Sequence, residues 1–223
     1  ILVGAFNELG LLQHDNTGQA KFISWNNKIP DPYRNYGEIW RIHIIGHYTV
    51  FQAFKSLLIF KKGDFFKAIV PENEFRFSYV IDNELYIQEK SKGLFKLSGD
   101  SLVLTTVSDF FKDKEIWSLF QLSEKKILAG TQYHGFFILE NGKISVWDTP
   151  ANQFAIKYTL FNGIQLSNRQ FAFGTVLNGI ILTDAEGKIK LNLNKQNGIQ
   201  NNTILSIYED KHHNIWLGLD KGI

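Results

Sequence analysis

Residues 202–223 read NTILSIYEDKHHNIWLGLDKGI, and their pattern decides how the rest of the chain is read. A strand-like run from Ile204 to Tyr208 ends in Glu209-Asp210. A polar turn follows over Lys211 to Asn214, and a second apolar run, Ile215 to Leu219, leads into Gly222. Short runs of β-branched, aromatic and aliphatic residues bounded by Asn, Asp and Gly read as strands joined by turns. The stretch is half of a β unit.

Working outward, the same unit recurs. Aligning ILAGTQYHGFFIL (Ile127 to Leu139), FAFGTVLNGIIL (Phe171 to Leu182) and IWLGLDKGI (Ile215 to Ile223) brings Gly130, Gly174 and Gly218 into register at intervals of 44 residues. A following glycine at Gly135, Gly179 or Gly222 marks the next turn. Further back, LYIQEKSKGLFKL keeps only Gly93, with Gln88 at the first position, and YTVFQAFKSLLIF has Ser56 for the turn glycine. ILVGAFNELGLLQ aligns with Gly4 and Gly10 as the pair. Glu38 to Ile42 (EIWRI) and Glu115 to Leu119 (EIWSL) match as first strands.

A period of about 40 to 45 residues is that of a propeller blade, so each unit is read as four short strands, A to D. The best copy places them at Tyr158 to Ser167, Gln170 to Val176, Gly179 to Asp184 and Lys188 to Asn194. The expected fold is an all-β propeller of four-stranded blades: a partial blade at 1–35, blades at about 36–73, 74–113, 114–156 and 157–201, and a partial blade at 202–223. The chain is read as one continuous segment of an incomplete ring with no long amphipathic helix. The absence of Met, including an initiator, points to a piece of a longer protein. B strands carry apolar residues on both faces because neighbouring blades cover both. Glycine within them allows close approach, and turn glycines supply positive φ. Glu140-Asn141-Gly142-Lys143 and Asp184 to Lys188 read as C to D hairpin turns.

Composition supports strands and excludes several functions. Aromatics are abundant, with 19 Phe, 8 Tyr and 5 Trp against only 4 Pro. The 24 basic and 22 acidic residues are spread along the chain, which leaves no electrostatic footprint for nucleic acid. There is no Cys, hence no disulfide or thiolate site. No apolar run reaches the ~18 residues that would span a bilayer.

The motif N-x-I-L-S-I-Y-E-D-x-x-x-N-I-W-L-G-L-D-x-G-I, preceded by Asn197 to Asn201, resembles the two-component regulator propeller repeat. Gly130-Thr131 and Gly174-Thr175 carry the Gly-Thr of that repeat, which Gly218-Leu219 replaces in the last copy. The resemblance implies the periplasmic sensor region of a Bacteroidetes hybrid two-component system or a triple-tyrosine-motif regulator. Such a region is non-catalytic, belongs to an inner-membrane protein and senses a carbohydrate or other nutrient. A neighbouring propeller, an immunoglobulin-like domain or a second copy are the partners it implies.

Residue chemistry points the same way. His43 and His47 are about 13 Å apart along a strand, too far for one metal. His212-His213 reads as a solvated turn, and Asp210 as the cap of that turn. No nucleophile elbow, P-loop, dinucleotide or zinc-protease motif is present, so neither metal nor cofactor is expected. Asn201-Asn202-Thr203 fits a glycosylation acceptor that a bacterial periplasm would not use. Trp216 and Gly218 read as packing residues. A ligand would meet the face made by B to C turns and D to A loops, where function collects on a rigid scaffold. The candidate contacts there are Tyr133, His134, Asn178, Lys92 and Tyr36, with Lys90, Tyr33, Arg34, Lys112, Asp113, Asn197 and Gln200 around them. Tyr and His could stack on and hydrogen-bond a sugar. The rival readings are a propeller lyase or glycosidase and a protein-binding scaffold.

Overall fold

The computed structural model describes residues 1–222. The chain divides into two compact units, Ile1–Asp113 and the residues from Lys114 onward. The division falls where the third and fourth expected repeats meet.

The first unit holds three sheets. β1 (Leu2–Ala5), β2 (Glu8–His14) and β3 (Ala20–Ser24) form a three-stranded meander. β4 (Ile39–Ile45), β5 (Tyr48–Ala53), β6 (Leu57–Lys61) and β7 (Asp64–Ile69) form a four-stranded one, and β8 (Phe75–Ile81), β9 (Glu84–Glu89), β10 (Gly93–Ser98) and β11 (Ser101–Leu104) another. The second unit opens with β12 (Ile116–Ser123), β13 (Lys126–Thr131), β14 (Gly135–Glu140) and β15 (Lys143–Val146). A helix α1 (Pro150–Tyr158) leads to β16 (Leu160–Gln165), β17 (Phe171–Thr175), β18 (Ile180–Thr183) and β19 (Ile189–Leu193), then to the pair β20 (Ile204–Glu209) and β21 (Ile215–Leu219). Every pairing is antiparallel and sequential, the strand order of propeller blades.

Apolar side chains fill the space between successive sheets. In the first unit Leu9, Phe51, Leu58 and Phe60 pack between the first two sheets, and Val50, Ile59, Phe75 and Ile87 between the next two. In the second unit Leu128, Phe136, Leu160, Phe171 and Phe173 form one such layer, and Ala172, Ile180, Ile204 and Leu219 the next. B strands take part in the layers on both of their faces, which is why their sequences are continuously apolar. Each buried Leu, Ile or Phe contributes ~1.5–3 kcal/mol.

The B-strand glycines are sockets for the next blade. A Cβ at Gly174 would lie 2.7 Å from Cβ of Ile204, and one at Gly130 would lie 2.7 Å from Cδ2 of Leu160. Gly4 faces Ile39 in the same way. The turn glycines Gly93, Gly135, Gly179 and Gly222 all have φ between +70° and +100°. Asn141 and Gly142 both have positive φ, as a tight Asn-Gly hairpin requires.

Two expectations are corrected. Gly10 is not a turn glycine: it pairs with Val3 inside the β1·β2 ladder, and the turn is made by Phe6-Asn7 with Asn7 at φ 49°. A Cβ at Gly10 would run into the main chain of Ile23, so its role is close approach to β3. Tyr158 does not open an A strand; it is the last residue of α1, and the strand begins at Leu160 after Thr159 turns at φ 62°. Thr149 caps α1 by accepting from Asn152 N at 3.2 Å, with Pro150 at the first helical position. Asn152 Oδ1 accepts from Phe136 N at 2.6 Å, which fastens the helix to the B to C turn beside it.

Candidate functional site

Antiparallel pairing puts the start of each A strand beside the B to C turn of its own sheet. The five complete A·B ladders share one irregularity at that end. Pairing shifts between Ile39 and Arg41, Phe75 and Ser78, Ile116 and Ser118, Leu160 and Asn162, and Ile204 and Ser206. Such bulges bend the strand and re-aim side chains. Here they turn Trp40, Phe77, Trp117, Phe161 and Leu205 away from the ladder.

The B to C turns are built alike in the second unit. Thr131 Oγ1 donates to Gly135 O at 2.8 Å and accepts from His134 N at 3.1 Å; Thr175 Oγ1 does the same with Gly179 O at 2.9 Å and Asn178 N at 3.1 Å. This is the structural role of Gly-Thr in the repeat. In β9 the corresponding residue is Glu89, whose Oε1 instead accepts from Glu72 N and Asn73 N, each at 3.0 Å, to close the D to A loop behind it.

In the first unit the rim of the second and third sheets is aromatic and positively charged. Trp40 stacks on Phe54 at 5.0 Å with 14° between the rings, and Phe77 stands 6.1 Å from each. The Arg41 guanidinium lies 5.2 Å from the Phe77 ring centre and 5.6 Å from that of Tyr79. Behind it, His43 Nε2 meets Ser78 Oγ at 2.9 Å, and that hydroxyl donates to Gln52 Oε1 at 3.3 Å. Burial, with the Arg41 charge adding to it, lowers the His43 pKa to about 4, so the imidazole is neutral at pH 7.

In the second unit the corresponding rim carries Trp117 and Phe161, 4.5 Å apart, and the exposed Tyr133 at a B to C turn. The D to A connection adds α1, with Phe154 against Tyr158 at 4.6 Å, Lys157 5.1 Å from the Tyr158 ring centre, and exposed Ile156. Leu177 N donates to Tyr158 O, which joins the next turn to the helix end.

The expected contact residues separate into exposed side chains and side chains used by the fold. Tyr133 and His134 are exposed at the rim. Asn178 sits in the next turn, where its Oδ1 accepts from Asn194 Nδ2 at 3.0 Å and its carbonyl from Asn192 Nδ2 at 3.3 Å, so its polar groups brace the loop. Lys92 pairs with Glu72 and lines a surface groove of about 360 Å³ with Pro71, Phe95 and Leu102. Tyr36 is corrected to a core residue: it is 2% exposed, its hydroxyl donates to Asn26 Oδ1 at 2.7 Å, and burial raises its pKa. In the outer ring of candidates, Arg34 pairs with Asp31 at 2.6 Å, Lys112 with Asp109 at 2.7 Å, and Asn197 braces Asn192 and Asn194. Tyr33 stacks on Phe65, while Lys90 and Gln200 are exposed. Trp40, Arg41, Phe54 and Phe77 were missed. The matching EIW motifs carried a signal, because a Trp just inside an A strand recurs where the bulge lies.

At the A to B turn end, the Asp210 expectation holds. Its carboxylate accepts from His212 N, Asn214 N and Trp216 Nε1 at 2.8, 2.9 and 2.9 Å, and these bonds lower its pKa to about 2, Trp216 contributing most. Trp216 is therefore a brace of the turn with its ring half exposed, rather than a packing residue. His213 is not simply solvated. Its Nδ1 lies 2.9 Å from Ser167 Oγ and 3.1 Å from Glu209 Oε1, and Ser167 Oγ donates to the same Glu209 oxygen at 2.7 Å. Ser and Glu meet the same ring nitrogen, so the trio cannot relay a proton through the imidazole as a nucleophilic triad does.

Residues 198–221 match the family described as "Two component regulator propeller". Among curated protein sequences, none matches the chain significantly. Among solved structures, the WD40 β-propeller domain of Doa1 aligns with 98% of this chain and 71% of its own at TM-score 0.70 and 11% identity. The extracellular domain of BT3049 from B. thetaiotaomicron, named as a hybrid two component system, aligns at TM-score 0.63 and 16% identity over 95% of this chain. That of BT4673 from the same organism, named as a one component system, aligns at TM-score 0.53 and 18% identity over 99%. The chain spans 30% and 40% of those two domains. The chain thus has the fold of β-propeller blades, and its residues 198–221 are similar to the repeat described as "Two component regulator propeller".

Proposed function

We propose that this chain is part of a non-catalytic, extracytoplasmic sensor propeller of a signal-transduction regulator, and that the rim of bulged A strands and B to C turns in one of its two units receives a carbohydrate or another nutrient-derived ligand. The observation that carries the reading is the match of residues 198–221 to the two component regulator propeller repeat. Likeness of fold to two extracellular sensor domains supports it. So does the chemistry of the rim: exposed aromatic side chains with polar tips, such as Tyr133, suit the alternating C–H and hydroxyl faces of a sugar. A periplasmic location, attachment to an inner membrane, control of transcription, and contact with a neighbouring propeller, an immunoglobulin-like domain or a second copy belong to the same reading.

A thermal-shift and calorimetric screen of the chain against neutral and acidic oligosaccharides tests it. The expected result is a rise in Tm with at least one saccharide, reduced by Tyr133→Ala or Trp40→Ala. Absence of any saccharide shift, or saccharide turnover during the screen, overturns the sensing reading.

A further inference from the structure

Arg41 is a cation with no anion. It is half-buried, and among the described residues it forms neither an ion pair nor a hydrogen bond; its neighbours are the rings of Phe77 and Tyr79. Every other Arg or Lys drawn into the sheets of this unit at comparable burial has a carboxylate: Lys92 has Glu72, Lys96 has Glu84 and Lys67 has Asp100. Gln52 stands directly opposite Arg41 in the β4·β5 ladder, so the two side chains share a face. Its Nε2 is buried and has no hydrogen-bond partner, while its Oε1 already accepts from Ser78. Two donors on one face therefore lack an acceptor, which is costly unless something supplies one. His43, held neutral on the same strand, leaves the guanidinium as the one fixed charge of the group.

The bulge places an apolar platform beside this charge. Trp40 and Arg41 both lean on Phe77, so they lie on one side of the strand although they are consecutive residues. Trp40 keeps 44% of its surface in solvent while resting on Phe54. A ligand that fits has a flat apolar C–H face for the indole and, within one residue's reach, an anion flat enough for the guanidinium fork. A pyranose that carries a carboxylate has both.

We propose that Trp40 and Arg41 form a subsite for an acidic sugar, with the pyranose face on the indole and the carboxylate on the guanidinium. The proposal rests on the sensing reading above and names its ligand class. Polyanionic nucleic acid would need a spread of such cations, and here there is one.

The test is isothermal titration of the full chain with a galacturonate or glucuronate oligosaccharide, its neutral galactose or glucose counterpart, benzoate, and inorganic phosphate. The uronate should bind at least ten-fold more tightly than the other three. Arg41→Gln should erase the difference between acidic and neutral sugar. Arg41→Lys, which keeps the charge without the fork and guards against loss of fold, should retain part of it, and Trp40→Ala should weaken both sugars. Circular dichroism of each variant confirms the β fold. Equal affinity for uronate and neutral sugar, or a uronate preference that survives Arg41→Gln, overturns the subsite. So does binding of benzoate or phosphate as tight as that of uronate, which would mark an aromatic-acid or simple anion site. If neutral sugars bind and uronates do not, this subsite falls and the sensing reading stands; if no saccharide binds, both fall.

Discussion

Thr131 and Thr175 show how much one hydroxyl can organise. Each donates to a glycine carbonyl and accepts from a main-chain N–H within the same five-residue turn, and each side chain is fully buried. Thr175→Val keeps the shape and the β-branch but leaves Gly179 O and Asn178 N without that partner, so it should cost about 1–3 kcal/mol in a denaturant melt. An unchanged midpoint would show that solvent replaces the hydroxyl. Gly-Thr was legible in the sequence as a repeated pair, and its glycine as a place of close approach. The role of the threonine was not legible, because it depends on a carbonyl and an N–H brought within 3.1 Å by the turn itself. Tyr36 shows the opposite failure. A Tyr between Asn35 and Gly37 reads as a loop contact, yet the D to A segment folds inward and its ring fills the layer around Phe51 and Phe60.

The β20·β21 hairpin was the most legible element, since its strands, turn and Asp210 cap follow from local sequence alone. The Asp210 carboxylate has its pKa lowered from 3.8 to about 2, first by Trp216 Nε1 and then by Asn214. A carboxyl with a depressed folded pKa contributes stability that is fully present above the unfolded value of 3.8 and is lost as pH falls toward about 2. The Trp216 Nε1–H resonance should therefore hold its position down to about pH 4 and move between pH 4 and 2. In Asp210→Asn that acid-induced movement should be absent; a midpoint near the ordinary 3.8 in the native protein would contradict the hydrogen-bond geometry. Helix α1 was less legible. Ala151, Phe154, Ala155 and Tyr158 do fall at helical spacing, but nine residues give only two and a half turns, shorter than the window over which such a repeat stands out. The Thr149-Pro150 start was the available clue. The helix is there because Asn152 and Ala155 bury against the B to C turn, a tertiary gain that no local propensity supplies.

Across the molecule, acid sensitivity should centre on one histidine. His43 has its pKa lowered from 6.5 to about 4, by burial and then by the Arg41 charge. The neutral form is the folded form, so its contribution is whole above pH 6.5 and is lost as pH falls from 6.5 toward 4, where the unfolded chain takes up the proton first. The loss should be on the order of 3 kcal/mol across that window. His43→Gln, which keeps a partner for Ser78, should flatten the dependence of melting on pH between 7 and 4.5; an equal slope in both proteins would place the effect elsewhere. Within the first unit each sheet packs mainly on its neighbours, so such a local change acts first on the layer it belongs to.

What the sequence by itself determined is the period, the four-strand unit, the glycine sockets and the capped hairpins, because each is set by backbone sterics and by alternation within about ten residues. What only the tertiary structure decided is which rim residues face solvent and which serve the loops. Asn178, Asn197 and Arg34 have the composition of a binding surface and are taken up by the protein's own turns. Arg41 and Trp40 read as ordinary strand residues until a bulge turns them to one side and leaves the guanidinium without a carboxylate and the indole, resting on Phe54, half in solvent. The bulge offsets the paired strands Ile39–Ile45 and Tyr48–Ala53 by one residue, and the alternation of side chains along either strand does not record that offset, which exists only once the two are paired.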